Sequence, residues 1–295
     1  MQKFFLRRRV LDPQKSFEIS QEKYKALADA RTTLVDAFAF EQKFELLLGN
    51  YRDLELAAAK WALARVIETL NTYSQFGTIM TEANRLVVNL LSTARLYGDQ
   101  VKRAFSNLKL DRTFKTIATE RLATAYDSSF DYRFLEALRN HVQHRSTPVH
   151  SMGARELLRA TTDGWADSFT LWANRDILEE EGDFKAQVLQ EMPAKVDLRD
   201  AVRKYVTQLG EAHLELRAQV APTVQAARTL VDEEITRYQV ESGMSAVGLC
   251  ACIEVDSDYS DWVPVFLEWD DVRMELVAKN QGIRIEVRPK ERARP

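Results

Sequence analysis

The sequence predicts a mainly α-helical protein, with an antiparallel helical bundle over residues 1–243 and a small C-terminal β appendage with a basic tail over residues 244–295. Glycine and proline, which interrupt helices, are scarce, with 10 and 7 in 295 residues. Apolar residues recur at helical spacing up to about Gly243, whereas β-branched and aromatic residues are frequent beyond it. With 45% hydrophobic and 29% charged residues, the chain can form one large core or two smaller ones.

The helical periodicity divides into six segments. The predicted helices cover approximately residues 20–48, 51–74, 81–108, 112–126, 131–145 and 197–241. The last helix is expected to break near Pro222, because proline lacks the amide hydrogen that a helix interior requires. Residues 146–196 have a mixed pattern. Strands are predicted at residues 247–255, 262–269 and 283–287, which are rich in β-branched and aromatic side chains.

The third predicted helix carries a polar stripe beside its apolar face. At about 100° per residue, apolar residues from Val87 to Leu108 fall on one side, which is expected to face the core. Four polar residues cluster on a neighbouring face: Asn84, Ser92, Arg95 and Asp99. This stripe is either an ordinary solvated surface or one wall of a site shared with the helix at 131–145.

The segment Leu138–His150 has the greatest density of possible chemistry, because it holds three of the four histidines. Histidine transfers protons in either direction near neutral pH, and arginine binds phosphate well. Arg139 and His144 are five residues apart, hence about 140° apart on an ideal helix, so they do not meet on one face. The helix could unwind near Pro148, or two copies of the chain could meet across a symmetric interface.

The run Arg139-Asn140-His141-Val142-Gln143-His144 resembles the Arg-x4–6-His motif of HEPN domains, which prefer a polar residue after the arginine. The helix from Asn84 to Phe105 is also similar to the polar-striped partner helix of that fold. HEPN domains are four- or five-helix bundles, commonly dimeric, and many are metal-independent ribonucleases of toxin–antitoxin, phage-defence and RNA-processing systems. The resemblance implies an HEPN-like core at about 51–152 and catalytic roles for Arg139 and His144, with Asn140 in support.

These groups suit the cleavage of RNA, because the ribose 2′-hydroxyl supplies a nucleophile without a metal or other cofactor. His144 would remove or deliver a proton while Arg139 neutralises charge on the phosphate oxygens, which leaves a 2′,3′-cyclic phosphate. Four further side chains are expected to contact the RNA backbone: His141, Arg145, Lys102 and Arg103. The expected partners are therefore RNA and a second copy of the chain.

The charge distribution is uneven, although the formal net charge is only −3. Residues 101–121 contain six basic and two acidic residues, whereas residues 176–200 contain eight acidic and three basic ones. The acidic stretch could screen the basic site or dock an antitoxin or another regulatory protein. Because no apolar run reaches membrane-spanning length and no signal-peptide core is evident, we expect a cytoplasmic protein with no membrane partner.

Other interpretations of the histidine segment remain open. A catalytically silent helical module that binds a protein partner could also carry histidines at a helix end, where the helix dipole favours them. A transition-metal site built from His141, His144 and His150 would lack a carboxylate partner, and no His-Glu-x-x-His pattern occurs. Cys250 and Cys252 are predicted to be small side chains on one face of a strand.

Overall fold

Helices make up most of the described chain. The computed structural model describes residues 2–11, 15–67, 72–106, 108, 112–161, 164–256 and 258–282. Within these ranges the helices are α1 (Gln21–Ile67), α2 (Tyr73–Val101), α3 (Phe114–Ser128), α4 (Phe130–His144), α5 (Arg175–Glu181), α6 (Ala186–Glu191), α7 (Leu198–Ser242) and α8 (Glu268–Lys279). The predicted mainly α-helical class is confirmed, and the HEPN-like antiparallel bundle stays a prediction.

Helix α1 is continuous, whereas the sequence predicts two helices that separate near residues 49 and 50. A glycine in a helix interior costs about 1 kcal/mol relative to alanine, which is small beside the burial of large side chains on both sides of it. Around Gly49, buried residues recur at helical spacing: Phe44, Leu47, Tyr51 and Leu54. Tertiary packing therefore outweighs the local preference for a break.

Helix α7 also continues through the position at which the sequence predicts a break. Pro222 is exposed, while Val220 and Val224 on either side of it are buried. A proline on the exposed side of a long helix is accommodated by bending, because the lost hydrogen bond lies where water can replace it. The predicted break at Pro222 is therefore wrong.

A four-stranded antiparallel sheet joins the two ends of the described chain. Its strands are β1 (Lys3–Arg8), β2 (Ser16–Ile19), β6 (Leu249–Val255) and β7 (Asp258–Pro264). They lie in the order β2-β1-β6-β7, and Phe4 and Leu6 of β1 pair with Ile253 and Ala251 of β6. The C-terminal β segment is thus not a separate appendage, because half of its sheet comes from the N-terminal strands β1 and β2, which the sequence pattern does not predict.

The C-terminal region contains a helix where the sequence predicts the end of a strand. The strand predicted at 262–269 ends at Pro264, and α8 begins at Glu268. Acidic residues in the first turn of α8 favour a helix N-terminus there, because they offset the positive end of the helix dipole. The strand predicted at 283–287 and the basic tail lie outside the described residues.

The turn that leads into β6 depends on Gly248. This residue has φ of +74°, a conformation that glycine adopts without steric cost. A Cβ at this position would lie 2.9 Å from Cγ1 of Val10, and the Gly248 carbonyl accepts a hydrogen bond of 2.7 Å from the Arg9 amide. Gly248 therefore allows the close approach of Arg9 and Val10 to the start of β6.

The cysteines lie where the sequence predicts them, on one face of β6, and both are buried and unpaired. Burial raises the pKa of the Cys252 thiol to about 11 and also raises the pKa of Cys250. Because the thiolate is the reactive form, neither side chain has the properties of a nucleophile.

A second antiparallel sheet occupies part of the region whose pattern is mixed. Its strands are β3 (Ser151–Thr161), β4 (Gly164–Asn174) and β5 (Lys195–Asp197), in the order β3-β4-β5. The short helices α5 and α6 lie between β4 and β5 in the chain. The β3–β4 hairpin therefore follows α4 in the chain, and the acidic helix α5 follows the hairpin directly.

The chain divides into two compact units. Unit 1 comprises Met1–Gln42, Lys102–Ile117 and Leu214–Gln281, and unit 2 comprises Lys43–Val101, Ala118–His213 and Gly282–Pro295. Unit 1 has an aromatic cluster of Phe40, Phe105 and Phe114, whose ring centroids are 5.0–6.0 Å apart. In unit 2, the buried His213 stacks on Phe44 at 3.9 Å, and its Nδ1 lies 3.0 Å from the Tyr97 hydroxyl. Each unit therefore has its own core.

Candidate functional site

Helix α4 carries the predicted catalytic residues and is capped at its N-terminus. The Ser129 hydroxyl caps its N-terminus by accepting a hydrogen bond of 3.2 Å from the Tyr132 amide. Phe134 and Leu138, one turn apart, are fully buried, as the predicted apolar stripe requires. The helix ends at His144, so the segment from Arg139 to His144 forms its last turns.

Arg139 and Asn140 are joined by a hydrogen bond at the surface of unit 2. Nη1 of Arg139 donates to Oδ1 of Asn140 at 3.1 Å. Asn140 is exposed and Arg139 is half-buried, while Nε of Arg139 is buried and has no hydrogen-bond partner among the described residues. The buried Nε cannot reach a ligand, so the donors left for one among the described contacts are those of the terminal amino groups, chiefly Nη2.

His144 is exposed at the last residue of α4. Among the described residues, its imidazole has no hydrogen-bond or ion-pair partner. Because five residues separate it from Arg139, the two side chains leave a regular helix in directions about 140° apart. The helix remains regular through His144, so it does not unwind early enough to bring these two residues onto one face within one chain.

His141, which the sequence predicts to contact RNA, is directed into the protein. His141 is 3% exposed, and its Nε2 lies 2.8 Å from Oε2 of Glu181 at the end of α5. Its ring also packs edge-on against Phe184, with centroids 5.7 Å apart. Nδ1 is buried without a hydrogen-bond partner in the described part of the chain. This geometry suits a structural tie between α4 and α5.

Glu181 and His150 form a polar cluster next to His141. Burial opposes the ionisation of Glu181, but hydrogen bonds from Ser146 and His141 outweigh it and lower the pKa of the carboxyl group. Burial lowers the pKa of His150, whose Nδ1 accepts a hydrogen bond of 2.9 Å from the Asn174 amide. The cluster therefore favours an ionised Glu181 beside a neutral His150.

Arg145 pairs with the acidic stretch through Asp183. The two side chains are 50% and 68% exposed, so the pair contributes little to stability, on the order of 0–1 kcal/mol. An exposed pair of this kind exchanges readily with solvent and with a competing phosphate. Arg145 is accordingly accessible to a ligand, at the cost of losing Asp183.

The predicted polar stripe of α2 lies beside α4 and the loop that follows it. Oδ1 of Asn84 accepts a hydrogen bond of 2.8 Å from the Val149 amide, which fixes the loop after the histidines. Arg95 donates to Glu136 of α4 at 3.2 Å and to Asp99 at 2.9 Å. Ser92 is exposed. Asn84 thus contacts the segment Leu138–His150, and Arg95 contacts α4 just before that segment.

Lys102 and Arg103 belong to unit 1, whereas Arg139, Asn140 and His144 belong to unit 2. Lys102 is half-buried and Arg103 is exposed. Their expected contact with RNA stays a prediction.

A cavity of about 340 Å³ opens beside Asn140 in unit 2. Its polar wall comprises Arg95, Tyr126, Glu136, Asn140, Asp183 and Lys185. Glu136 bridges two of its neighbours, because it accepts hydrogen bonds from Arg95 and, at 2.6 Å, from the hydroxyl of the fully buried Tyr205. Burial raises the pKa of Tyr205 well above its usual range, so this hydroxyl stays a donor.

The sequence reasoning missed Glu136, Glu181 and Lys185. Glu136 lies three residues before Arg139 on α4, and residues at this spacing are neighbours on the surface of a helix. Glu181 and Lys185 fall within residues 176–200, for which the sequence indicates only a net acidity. No pattern along the chain indicates that α5 and α6 lie against α4, because these contacts depend on the intervening hairpin.

Neither a metal centre nor a membrane span is evident in the described ranges. No group of three or more histidine, cysteine, aspartate or glutamate residues there is arranged to hold a metal ion. None of the helices in these ranges combines the length and hydropathy needed to cross a bilayer. The chain matches no protein-family model, and comparison with curated proteins and with solved structures finds no similar protein.

Proposed function

We propose that this chain is a metal-independent endoribonuclease with HEPN-like chemistry, in which Arg139, Asn140 and His144 act on an RNA phosphodiester. One observation carries the proposal: Arg139 and Asn140 are hydrogen-bonded at 3.1 Å near the end of α4, and the same helix ends in an exposed His144 with no partner among the described residues. An imidazole that is accessible and not committed to an internal partner is suited to proton transfer.

The reaction uses the 2′-hydroxyl of the RNA as the nucleophile. This oxygen forms a bond to the adjacent phosphorus as the bond to the 5′-oxygen of the next nucleotide breaks, which leaves a 2′,3′-cyclic phosphate and a 5′-hydroxyl. His144 either takes the 2′-hydroxyl proton while water protonates the leaving 5′-oxygen, or protonates the leaving 5′-oxygen while water takes the 2′-hydroxyl proton. Arg139 stabilises the negative charge that builds on the phosphate oxygens. Asn140 holds the Arg139 guanidinium through the observed hydrogen bond.

A second copy of the chain would complete the site. Because Arg139 and His144 point about 140° apart on a regular helix, an Arg139 from one protomer and a His144 from its partner are the simplest pair that could face one phosphate. Arg145 would add a contact to the RNA backbone that does not depend on sequence. His141 is assigned a structural role instead, because it is buried and bonded to Glu181.

The dimeric arrangement makes a prediction for mixtures of inactive variants. Arg139→Ala and His144→Ala chains are each expected to be inactive, but mixing them in equal amounts should restore up to about a quarter of the wild-type rate, since half of the dimers are mixed and one of their two sites is intact. The measurement is the initial rate of RNA cleavage against mixing ratio. A rate that stays at background in mixed dimers of verified composition would contradict a shared site.

The chemistry itself is tested with substrates that lack the nucleophile. In EDTA, the chain is expected to cleave single-stranded RNA but neither DNA of the same sequence nor fully 2′-O-methylated RNA. Cleavage of RNA that requires added Mg²⁺, or equal cleavage of the methylated strand, would contradict the proposal.

The acidic stretch also favours a second function, that of a catalytically silent module that binds a protein partner. Glu181 contacts His141, and Asp183 pairs with Arg145. Two side chains of the segment Leu138–His150 therefore already have partners within the chain. In the ribonuclease proposal, the same stretch offers a docking surface for a regulator such as an antitoxin, in a toxin or phage-defence setting.

A further inference from the structure

The cavity beside Asn140 has the size and the mixed polarity of a ligand site. Its volume of about 340 Å³ is at the lower end of the range of roughly 300–1,000 Å³ that small-ligand pockets occupy. Its wall carries cations, carboxylates, an amide and a phenol. Such a wall can both donate and accept hydrogen bonds, which the edge of a nucleobase requires and a bare phosphate does not.

Lys185 supplies the positive charge of the cavity that no carboxylate neutralises among the described residues. Its ammonium donates a hydrogen bond to the Tyr126 hydroxyl and lies 5.2 Å from the centre of the Tyr126 ring. Arg95, by contrast, is paired with both Glu136 and Asp99. An anionic group that enters the cavity would therefore bind at Lys185.

Asn140 connects the cavity to the proposed cleavage site. Its Oδ1 accepts the hydrogen bond from Arg139, which leaves the two donors of its Nδ2 for a group inside the cavity. Glu136 and Asp183 provide acceptors on the same wall. A flat polar edge held by Asn140 would thus lie close to Arg139, whose guanidinium Asn140 positions.

We infer that the cavity binds one unpaired nucleotide of the single-stranded RNA substrate, with its phosphate at Lys185 and its base edge at Asn140. This inference rests on the proposed function for the identity of the substrate. It adds that the chain recognises an unstacked nucleotide beside the cleaved bond, so double-stranded RNA is a poor substrate.

The test uses adenosine 3′-monophosphate, which has no phosphodiester to cleave, and measures its binding to the full chain by isothermal titration calorimetry. Saturable binding with one nucleotide per chain is expected, with adenosine and inorganic phosphate each binding at least about tenfold more weakly. Lys185→Gln should weaken nucleotide binding by about tenfold or more, because a charge-assisted contact is lost. Lys195→Gln is the matched control, since Lys195 is exposed, lies in the same unit and does not line the cavity.

The outcomes separate this inference from the proposed function. Nucleotide binding that Lys185→Gln weakens and Lys195→Gln does not would support the inference, even if the wild-type chain leaves RNA intact. Absence of saturable nucleotide binding, or equal affinity in both variants and the wild type, would overturn it, even if the chain cleaves RNA in EDTA. Thermal unfolding of both variants checks that neither exposed substitution alters the fold.

Discussion

Replacing His144 by alanine is expected to lower the rate of RNA cleavage in EDTA by about 10²–10⁴-fold, the range for the loss of a general acid or base. The side chain is exposed and makes no hydrogen bond or ion pair with the described residues, so its loss removes chemistry and little else. The free energy of unfolding should change by less than about 0.5 kcal/mol, as for most surface substitutions. Initial rates and thermal unfolding curves of the same preparations measure the two effects.

Gln143→Ala is the matched control for this variant. Gln143 is exposed and immediately precedes His144 on α4, so the substitution perturbs the same helix end without removing a titratable group. Its cleavage rate should equal that of the wild type. If Gln143→Ala and His144→Ala lose activity equally, the end of the helix rather than the imidazole is required, and the proposed proton transfer is wrong.

Replacing Asp270 by alanine is expected to destabilise unit 1 by about 3–5 kcal/mol, because it leaves buried positive charge without a partner. Asp270 is 0% exposed and accepts hydrogen bonds of 2.5 and 2.9 Å from Arg273, with a further bond of 2.5 Å from Arg228. Arg273 is itself buried. The cost arises mainly from Arg273, which stays buried without a carboxylate, whereas Arg228 keeps Asp271 as a partner. Urea unfolding monitored by circular dichroism measures it.

Asp271→Ala provides the comparison for this large effect. Asp271 also pairs with Arg228, but its side chain is 57% exposed, so its loss should cost less than about 1 kcal/mol. Equal destabilisation by the two variants would mean that burial of Asp270 does not decide the effect.

The Asp270 cluster also predicts how stability depends on pH. Burial opposes ionisation of the carboxyl group, but the hydrogen bonds from Arg273 and Arg228 outweigh it and lower its pKa below the usual 3.8. The contribution of the cluster is therefore fully present above pH 3.8 and is lost as the pH falls through the lowered folded-state pKa.

The sequence predicts the helical class because helical periodicity is a local pattern. The pairing of strands that are distant in the chain produces no such local pattern. Phe4 and Leu6 alternate with outward residues as a strand requires, yet their partners Ile253 and Ala251 lie at the other end of the chain. The breaks expected at Gly49 and Pro222 fail for a related reason: tertiary burial on both sides of each residue outweighs its local preference.

The sequence also predicts only part of the candidate site. Spacing on α4 predicts that Arg139 and His144 leave the helix on different sides, and the regular helix through His144 agrees with that prediction. The carboxylate that engages His141 could not be predicted, because Glu181 approaches only after the chain has passed through the hairpin of β3 and β4. A buried histidine with a carboxylate partner and an exposed one without a partner among the described residues differ in role, and only the fold distinguishes them.

The most direct measurement of the central claim maps the 3′ ends of RNA fragments produced in EDTA by the wild-type chain and by His144→Ala. If the chain is a metal-independent ribonuclease that uses His144, the wild type should generate 2′,3′-cyclic phosphate ends and the variant should generate almost none. Fragments with 3′-hydroxyl ends, cyclic ends in equal amounts from both proteins, or intact RNA from both would contradict it.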